Sequence, residues 1–306
     1  MKPNASFTVI GELMNNSFAR ARRAFQAGDM AKYQELARLQ TELGAKYLTL
    51  NIDSTQKVMV DLGEMLAILP DLVPAIQEAT DTPISFDNPE IKFQEKALSL
   101  YKRNENNKPI LNSIAASREN LDDMIALVKE YDTMVFVLAS ERFVENGRPI
   151  ACKNGQEIHE TARIFVQRLK EEANRKIEDI IIDPGLAPIA ADTYGLVNMS
   201  LDAMQLIRQD PDLAGVHLSV GLTNCSFGVP REIRTKLEYA FLTLGMEAGM
   251  DFVLGNPEKA LQTLPSDDPF LTVVKAALDA GRPRNGESPM EAGMRQAEKI
   301  IGLFPS

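Results

Sequence analysis

The sequence predicts a (β/α)₈ barrel, a single domain with one extra C-terminal helix, and three observations predict it. Short apolar runs alternate with longer amphipathic segments along the whole chain. The runs number eight: FTVIGE (7–12), KYLTLNI (46–52), PISFD (83–87), KPILNS (108–113), TMVFVLAS (133–140), EDIIIDP (178–184), VHLSVGL (216–222) and DFVLGN (251–256). They are apolar on both faces, as strands of a parallel sheet must be when helices cover it. The competing open doubly wound sheet normally carries a glycine-rich phosphate loop after an early strand, and neither G-x-G-x-x-G nor a Walker loop occurs here.

The elements follow in order. After the first run, Tyr33, Leu36, Ala37, Gln40 and Leu43 recur at helical spacing, so a helix leads into the second. Asp87 closes the third run and Asn112 stands near the end of the fourth. Between the fifth and sixth, Ile158, Ala162, Phe165 and Leu169 mark one helical face. The seventh breaks from VHLSVGL into TNCSFG before Pro230, which suits the first turn of a helix carrying Ile233, Leu237, Phe241 and Leu244. Beyond the eighth, the segment 287–303 forms the additional helix. No linker or low-complexity tract divides residues 1–306.

Composition limits the function. The net charge of −10 disfavours a surface that tracks nucleic-acid phosphates. No apolar run reaches membrane-span length, and the opening residues MKPNASFTVIGE have no apolar leader core, so the expected location is cytoplasmic. Cys152 and Cys225 are too few for a disulfide framework and lack C-x-x-C spacing. His159 is expected at an exposed helical start and His217 within a strand, which makes a histidine metal site or triad improbable, and no metal is expected.

In a barrel of this kind the active site lies at the C-terminal mouth. There the strands deliver Glu12 and Asn15, Asn51 and Asp53, Asp87, Asn112, Asp183, Asn224 and Asn256. Any one of them reads equally as a helix cap or turn residue, Asp53 and Asn88 above all. Together, on one rim, carboxylate acceptors and amide donor–acceptors suit a polar heterocycle.

VIGE (9–12), FDN (86–88), ILNS (110–113), IIIDPG (180–185), VGLTNCSFG (220–228) and GMDFVLGN (249–256) together resemble the methyltetrahydrofolate–corrinoid methyltransferases, from the first strand to the eighth. The resemblance is nearest to the methyltransferase components of O-demethylase and methylamine- or betaine-type systems. It implies a pterin-binding barrel in which Asp87, Asn112 and Asp183 hold the pterin and Asn224 hydrogen-bonds N5, the atom that carries the methyl group. Asp183 is a candidate proton relay beside it, and Glu12, Asn51, Gly221 and Asn256 complete the substrate-binding set. The implied substrates are tetrahydrofolate and 5-methyltetrahydrofolate, with a cobalamin-type corrinoid supplied by a partner protein, because neither histidine stands in an Asp-x-His-x-x-Gly pattern. A homodimer is expected from the resemblance alone. Thr49 replaces an acidic residue common in the family, and Phe227 replaces a glutamine, making the wall near the methyl group drier.

Dihydropteroate synthase is the nearest alternative enzyme, but its Arg-x-His pair is missing from the last strand, which reads DFVLGNPEKAL. A non-catalytic folate-binding subunit and a generic barrel aldolase or isomerase are the other readings. The cations available for a folate glutamate tail are Arg20, Lys57 and Arg231.

Overall fold

The computed structural model describes residues 7–145 and 147–304. The first six residues, on which part of the leader reading rests, lie outside the described range. Eight parallel strands form one sheet: β1 (Thr8–Asn15), β2 (Tyr47–Asn51), β3 (Ile84–Asp87), β4 (Ile110–Ala115), β5 (Met134–Leu138), β6 (Ile180–Asp183), β7 (His217–Leu218) and β8 (Phe252–Gly255). β8 pairs with β1, Thr8 lying opposite Phe252. The ring closes through a bridge between Gly221 and Leu254, where the Leu254 N–H donates to the Val220 carbonyl at 3.1 Å.

The helices form the outer ring. α1 (Ala19–Ala27) and α2 (Met30–Glu42) follow β1, α3 (Leu62–Ala79) follows β2, α4 (Ile91–Leu100) β3, and α5 (Leu121–Glu130) β4. α6 (Gly155–Ala173), α7 (Leu196–Gln209), α8 (Arg231–Glu247) and α9 (Pro269–Ala280) serve β5 to β8, and α10 (Pro289–Ile301) is the expected extra helix. Most of each periodic face is buried as expected: Tyr33, Leu36, Ala37 and Gln40 on α2, Ile158, Ala162, Phe165 and Leu169 on α6, Leu237, Phe241 and Leu244 on α8; Leu43, expected with the first group, stands just past the end of α2 and is exposed, and Ile233 is half-buried. Local chemistry sets the helix starts. Asp61 and Glu64 form a reciprocal capping box at α3, as Ser288 and Glu291 do at α10.

Three features were not anticipated. α1 is inserted before α2, and a short antiparallel hairpin, Glu141–Arg142 with Ile150–Ala151, stands on the loop after β5. β1 also runs on past Glu12 to Asn15, because the β1–β2 register shifts between Gly11 and Met14 and so lengthens that strand.

The alternation of side chains fills the barrel in tiers. Leu48, Leu50, Phe86, Leu111, Val137, Ile182 and Leu218 point outward into the main core against the helices, while Ile10, Ile110, Met134, Phe136, Ile181 and Phe252 form a separate inner cluster. Neighbouring strands in such a barrel are offset by about one residue, so each tier takes four side chains from alternate strands. Read from the strand register, Tyr47, Ile110, Ile181 and Phe252 form an apolar tier. Above it lie Ile10, Ser85, Phe136 and Ser219, then Thr49, Asn112, Asp183 and Leu254, and at the top Glu12, Asp87, Leu138 and Gly221. The interior passes from hydrocarbon to carboxylates and amides toward the mouth.

α10 closes over the loop after β6. The Gln296 side-chain amide, almost fully buried, donates to the Ile189 carbonyl at 2.9 Å, and a Cβ on Gly293 would stand 2.3 Å from the Asp192 carbonyl oxygen. The backbones meet too closely for a methyl group. Gly293→Ala is therefore expected to destabilise the protein by about 1–3 kcal/mol through overpacking, checked by a lower thermal midpoint beside a control Ala substitution at exposed Glu298.

Candidate functional site

The polar residues predicted at the strand ends do converge on one mouth. Asp87 and Asn112 are direct neighbours across β3 and β4, and Asp183 pairs in register with Leu138 at the end of β5. A buried side chain fixes the first two. The Gln94 amide, from α4, donates to the backbone carbonyls of Phe86, Asn88 and Asn112 at 2.8, 2.8 and 3.0 Å, tying the tops of β3 and β4 together. The Asn112 side chain is 5% exposed and lies 3.4 Å from Ser85 Oγ.

Asp183 is held by its own turn. Its Oδ1 accepts the Gly185 N–H at 2.7 Å. Gly185 has φ +90°, and a Cβ there would stand 3.0 Å from the Ser140 Cβ, so the turn requires glycine. Further along the loop, buried Asp192 accepts backbone N–H groups from Gly195, Leu196 and Val197 at 2.8, 3.0 and 2.8 Å, capping α7.

These carboxyls are perturbed. Burial pushes Asp183 up to about 7, with the charge of Asp87 adding to the effect and the Gly185 N–H opposing it. Burial also raises Asp87 to about 6, against the pull of the Asn51 amide and the Arg118 charge. Asp53 rises to about 6 by burial and by repulsion from Asp87, the Asn51 amide again opposing. Asn51 thus lies between two acids on adjacent strands. Asp53 and Asn88 bond to each other, and Asn88 Oδ1 accepts the Glu90 N–H at 2.8 Å, the turn role expected of Asn88.

Arg118, after β4, was not foreseen. Its guanidinium donates to the carbonyl and hydroxyl of Ser113, both at 3.2 Å, and its charge faces Glu141, Asp87, Asp53 and Glu90. Of the cations named from sequence, Arg20 pairs with Glu258, while Lys57 and Arg231 are exposed.

The opposite sector is built around the loop after β7, a 3₁₀ turn over Leu222–Ser226. Asn224 lies exposed on this turn. A Cβ on Gly221 would stand 3.0 Å from Asn224 Nδ2, so the glycine makes room for the amide to fold back over the mouth. Beneath the turn lies a charged network. Ser226 Oγ donates to Glu238 Oε1 at 2.5 Å, and Lys259 Nζ donates to both Glu238 oxygens at 2.7 and 2.6 Å, with Glu238 only 1% exposed. Glu12 faces this network from β1. Thr223 Oγ1 donates to Glu12 Oε2 at 3.2 Å, while Oε1 is buried without a partner among the described residues. Burial pushes Glu12 up to about 8; the Thr223 hydroxyl and Lys259 pull it down and Glu238 pushes it up.

Asn256 spends its side-chain oxygen on the Glu258 N–H at 2.9 Å, capping a short 3₁₀ helix. Phe227 does not line a wall: it is 74% exposed. His159 is not exposed either, because it meets Asp210 at 2.7 Å beside Arg163, and His217 meets Asp251 at 2.7 Å below the site. Cys152 and Cys225 are buried free thiols. A cleft on the outer wall between α6 and the turn Pro211–Leu213 holds none of the mouth residues. No helix among the described residues is long and apolar enough to cross a membrane.

Residues 13–254 match the family of pterin binding enzymes. The chain belongs to that family. It is 26% identical over 250 residues to the methylcorrinoid:tetrahydrofolate methyltransferase of Eubacterium limosum, covering 81% of this chain and 84% of that one. It is 25% identical over 264 residues to the methionine synthase of Mycobacterium tuberculosis, spanning 84% of this chain but only 21% of that longer protein. Among solved structures it is similar to dihydropteroate synthases from Xanthomonas albilineans (TM-score 0.56, 16% identity, 89% and 93% of the two chains) and Thermus thermophilus (TM-score 0.55, 18% identity, 89% and 94%). At those identities the likeness shows the shared barrel.

The buried acids carry a stability consequence. Glu12 titrates in the folded protein well above a free glutamate, so the folded state favours its protonated form, and stability is lost as pH rises from the unfolded value near 4.5 through about 8. Glu12→Gln removes that loss. The variant is expected to match wild type near pH 4 and to melt several degrees higher at pH 9, read by circular dichroism at both pH values.

Proposed function

We propose that the protein transfers a methyl group between N5 of tetrahydrofolate and the cobalt of a corrinoid carried by a partner protein. The observation that carries this reading is the division of the mouth into two sectors. Asp87, Asn112 and Asp183 converge on one side, and an exposed amide, Asn224, stands over the other on a turn supported from beneath. The relative from Eubacterium limosum, whose name joins methylcorrinoid and tetrahydrofolate, supports the choice of reaction.

A pterin edge offers adjacent N–H donors and ring acceptors. Two carboxyls and an amide complement that edge, because a carboxylate accepts, a carboxylic acid also donates and an amide does both. The apolar tier below excludes water from the ring. N5 then lies toward β7, where Asn224 donates to it. The amide bond is weak toward a neutral tertiary amine and stronger as charge changes on nitrogen, so it contributes mainly to the transition state.

The corrinoid supplies the cobalt that gives or receives the methyl group. The approach to Asn224 suits so large a group: Phe227 projects to solvent, and nothing lies within 4 Å of a Cβ placed on Gly228. The corrinoid-bearing partner, a homodimeric state and a cytoplasmic location belong to this same reading.

Two measurements test it. Asp87→Ala and Asp183→Ala each remove an edge contact worth about 1–3 kcal/mol, so calorimetric affinity for tetrahydrofolate is expected to fall roughly ten- to a hundredfold. Unchanged affinity in both folded variants refutes the pterin site. Asn224→Ala is expected to slow single-turnover transfer from methyltetrahydrofolate to cob(I)alamin by on the order of 10²–10³, with a much smaller loss of folate affinity. A wild-type protein that binds folate but joins aminobenzoate to a pterin pyrophosphate, and moves no methyl group, would place it with the dihydropteroate synthases instead.

A further inference from the structure

N5 gains or loses a proton in methyl transfer, and the Asn224 amide has none to give. The structure places an acid against the residue that precedes it. Glu12 lies in the top tier of the barrel, on β1, and its single hydrogen bond among the described residues comes from the hydroxyl of Thr223, the residue before Asn224 in the same 3₁₀ turn. That bond occupies Oε2. Oε1 is left buried and unpartnered, and the residue faces the interior with only 6% exposure. Two further inward hydroxyls, Thr49 Oγ1 on β2 and Ser219 Oγ on β7, are likewise buried without partners. A buried polar atom without a partner is costly. Three of them stand at inward positions on β1, β2 and β7, atoms that a bound polar group would satisfy.

We propose that Glu12 carries the proton exchanged with N5, a role that rests on the folate reading above. From methyltetrahydrofolate to the corrinoid, the Glu12 carboxylic acid gives its Oε1 proton to N5. The N5–CH₃ bond then breaks, its methyl carbon bonding to cobalt(I) with the cobalt electron pair, and the N5–C electron pair remains on the nitrogen, leaving N5–H tetrahydrofolate and a Glu12 carboxylate. In the opposite direction the N5 lone pair attacks the methyl carbon, the carbon–cobalt pair returns to cobalt(I), and the proton released from N5 passes to the Glu12 carboxylate. Atoms and charge balance both ways with no further reagent.

The groups around Glu12 suit this exchange. Lys259 and Thr223 favour the carboxylate; burial and Glu238 favour the acid; Asp87 shares its tier from β3, and Asp183 lies one tier below on β6. The balance leaves Glu12 near 8, close to the working pH that an acid–base group needs.

The test compares wild type with Glu12→Gln, which keeps the size and the bond to Thr223 but carries no exchangeable acid proton. Wild-type transfer from methyltetrahydrofolate to cob(I)alamin is expected to fall as pH rises through about 8. Glu12→Gln is expected to lose about 10²-fold or more in that single-turnover rate, to lose the pH break, and to bind methyltetrahydrofolate within threefold of wild type. Thr223→Val, which removes a bond that favours the carboxylate, is expected to move the break upward. A second readout needs no corrinoid: the infrared carbonyl bands of carboxylic acids should include a component that titrates near pH 8 in wild type, above those of Asp183 and Asp87, and that component should be missing in Glu12→Gln. Normal folate binding with an unaffected rate or an unmoved pH break in Glu12→Gln overturns the proton role alone. Failure of wild type to bind methyltetrahydrofolate overturns the folate reading and this proposal with it.

Discussion

Closure of the parallel sheet is the constraint on which everything else here depends. Once β8 pairs with β1 and the Gly221–Leu254 bridge joins β7 to β8, every strand is fixed in register and each side chain is assigned to the inside or the outside of the ring. A shift of one residue would exchange Asp183 for Ile182 and Asn112 for Leu111, putting hydrocarbon at the mouth and acids against the helices. The strands are apolar on both faces, so the inner cluster alone does not choose the register; the shifted arrangement is disfavoured because it would bury those acids and amides among apolar helix side chains. Site and register are thus fixed together.

The two halves of the mouth are held by different means. On the β3, β4 and β6 side the supports are side-chain bonds to the backbone: the buried Gln94 amide, the Gly185 turn and the Asp192 cap. On the β7 side the support is an ion pair, Glu238 with Lys259, buried beneath the turn and joined to it by Ser226. Removing either partner leaves the other charge uncompensated in a low-dielectric setting, a costly outcome. That turn is consequently fixed from below while its upper face, with Asn224 and Phe227, stays open to solvent.

The fold was legible because both periods are written plainly in the sequence: doubly apolar runs for the strands, three-to-four spacing for the helices. The mouth residues were legible for a related reason, since the parity that sends Ile181 inward also sends Asp183 inward. Other parts were not. Glu238 sits in α8 at a position that reads as ordinary helix surface, and only the return of the chain after β8, bringing Lys259, makes it a buried partner. Arg118 and the β5 hairpin lie on loops, where no periodicity constrains a side chain. His159 was expected in solvent because Asp210, which covers it, is distant in sequence. Asn256 shows the ambiguity of strand-end amides, since its oxygen caps the turn that follows.

The pairing of β1 with β8 also governs when the mouth comes into being during synthesis. Glu12 emerges from the ribosome early, yet its surroundings are Thr223 on the β7 turn and Lys259 beyond β8, and its strand gains its second neighbour only when Phe252 arrives. Contacts so far apart in sequence form late and slowly. Until then β1 is an open edge bearing an acid that water keeps ionised, and closure of the ring is the step that dries it. A nascent chain lacking its last strand therefore holds every mouth residue from β1 to β7 and still lacks the environment that gives Glu12 its chemistry.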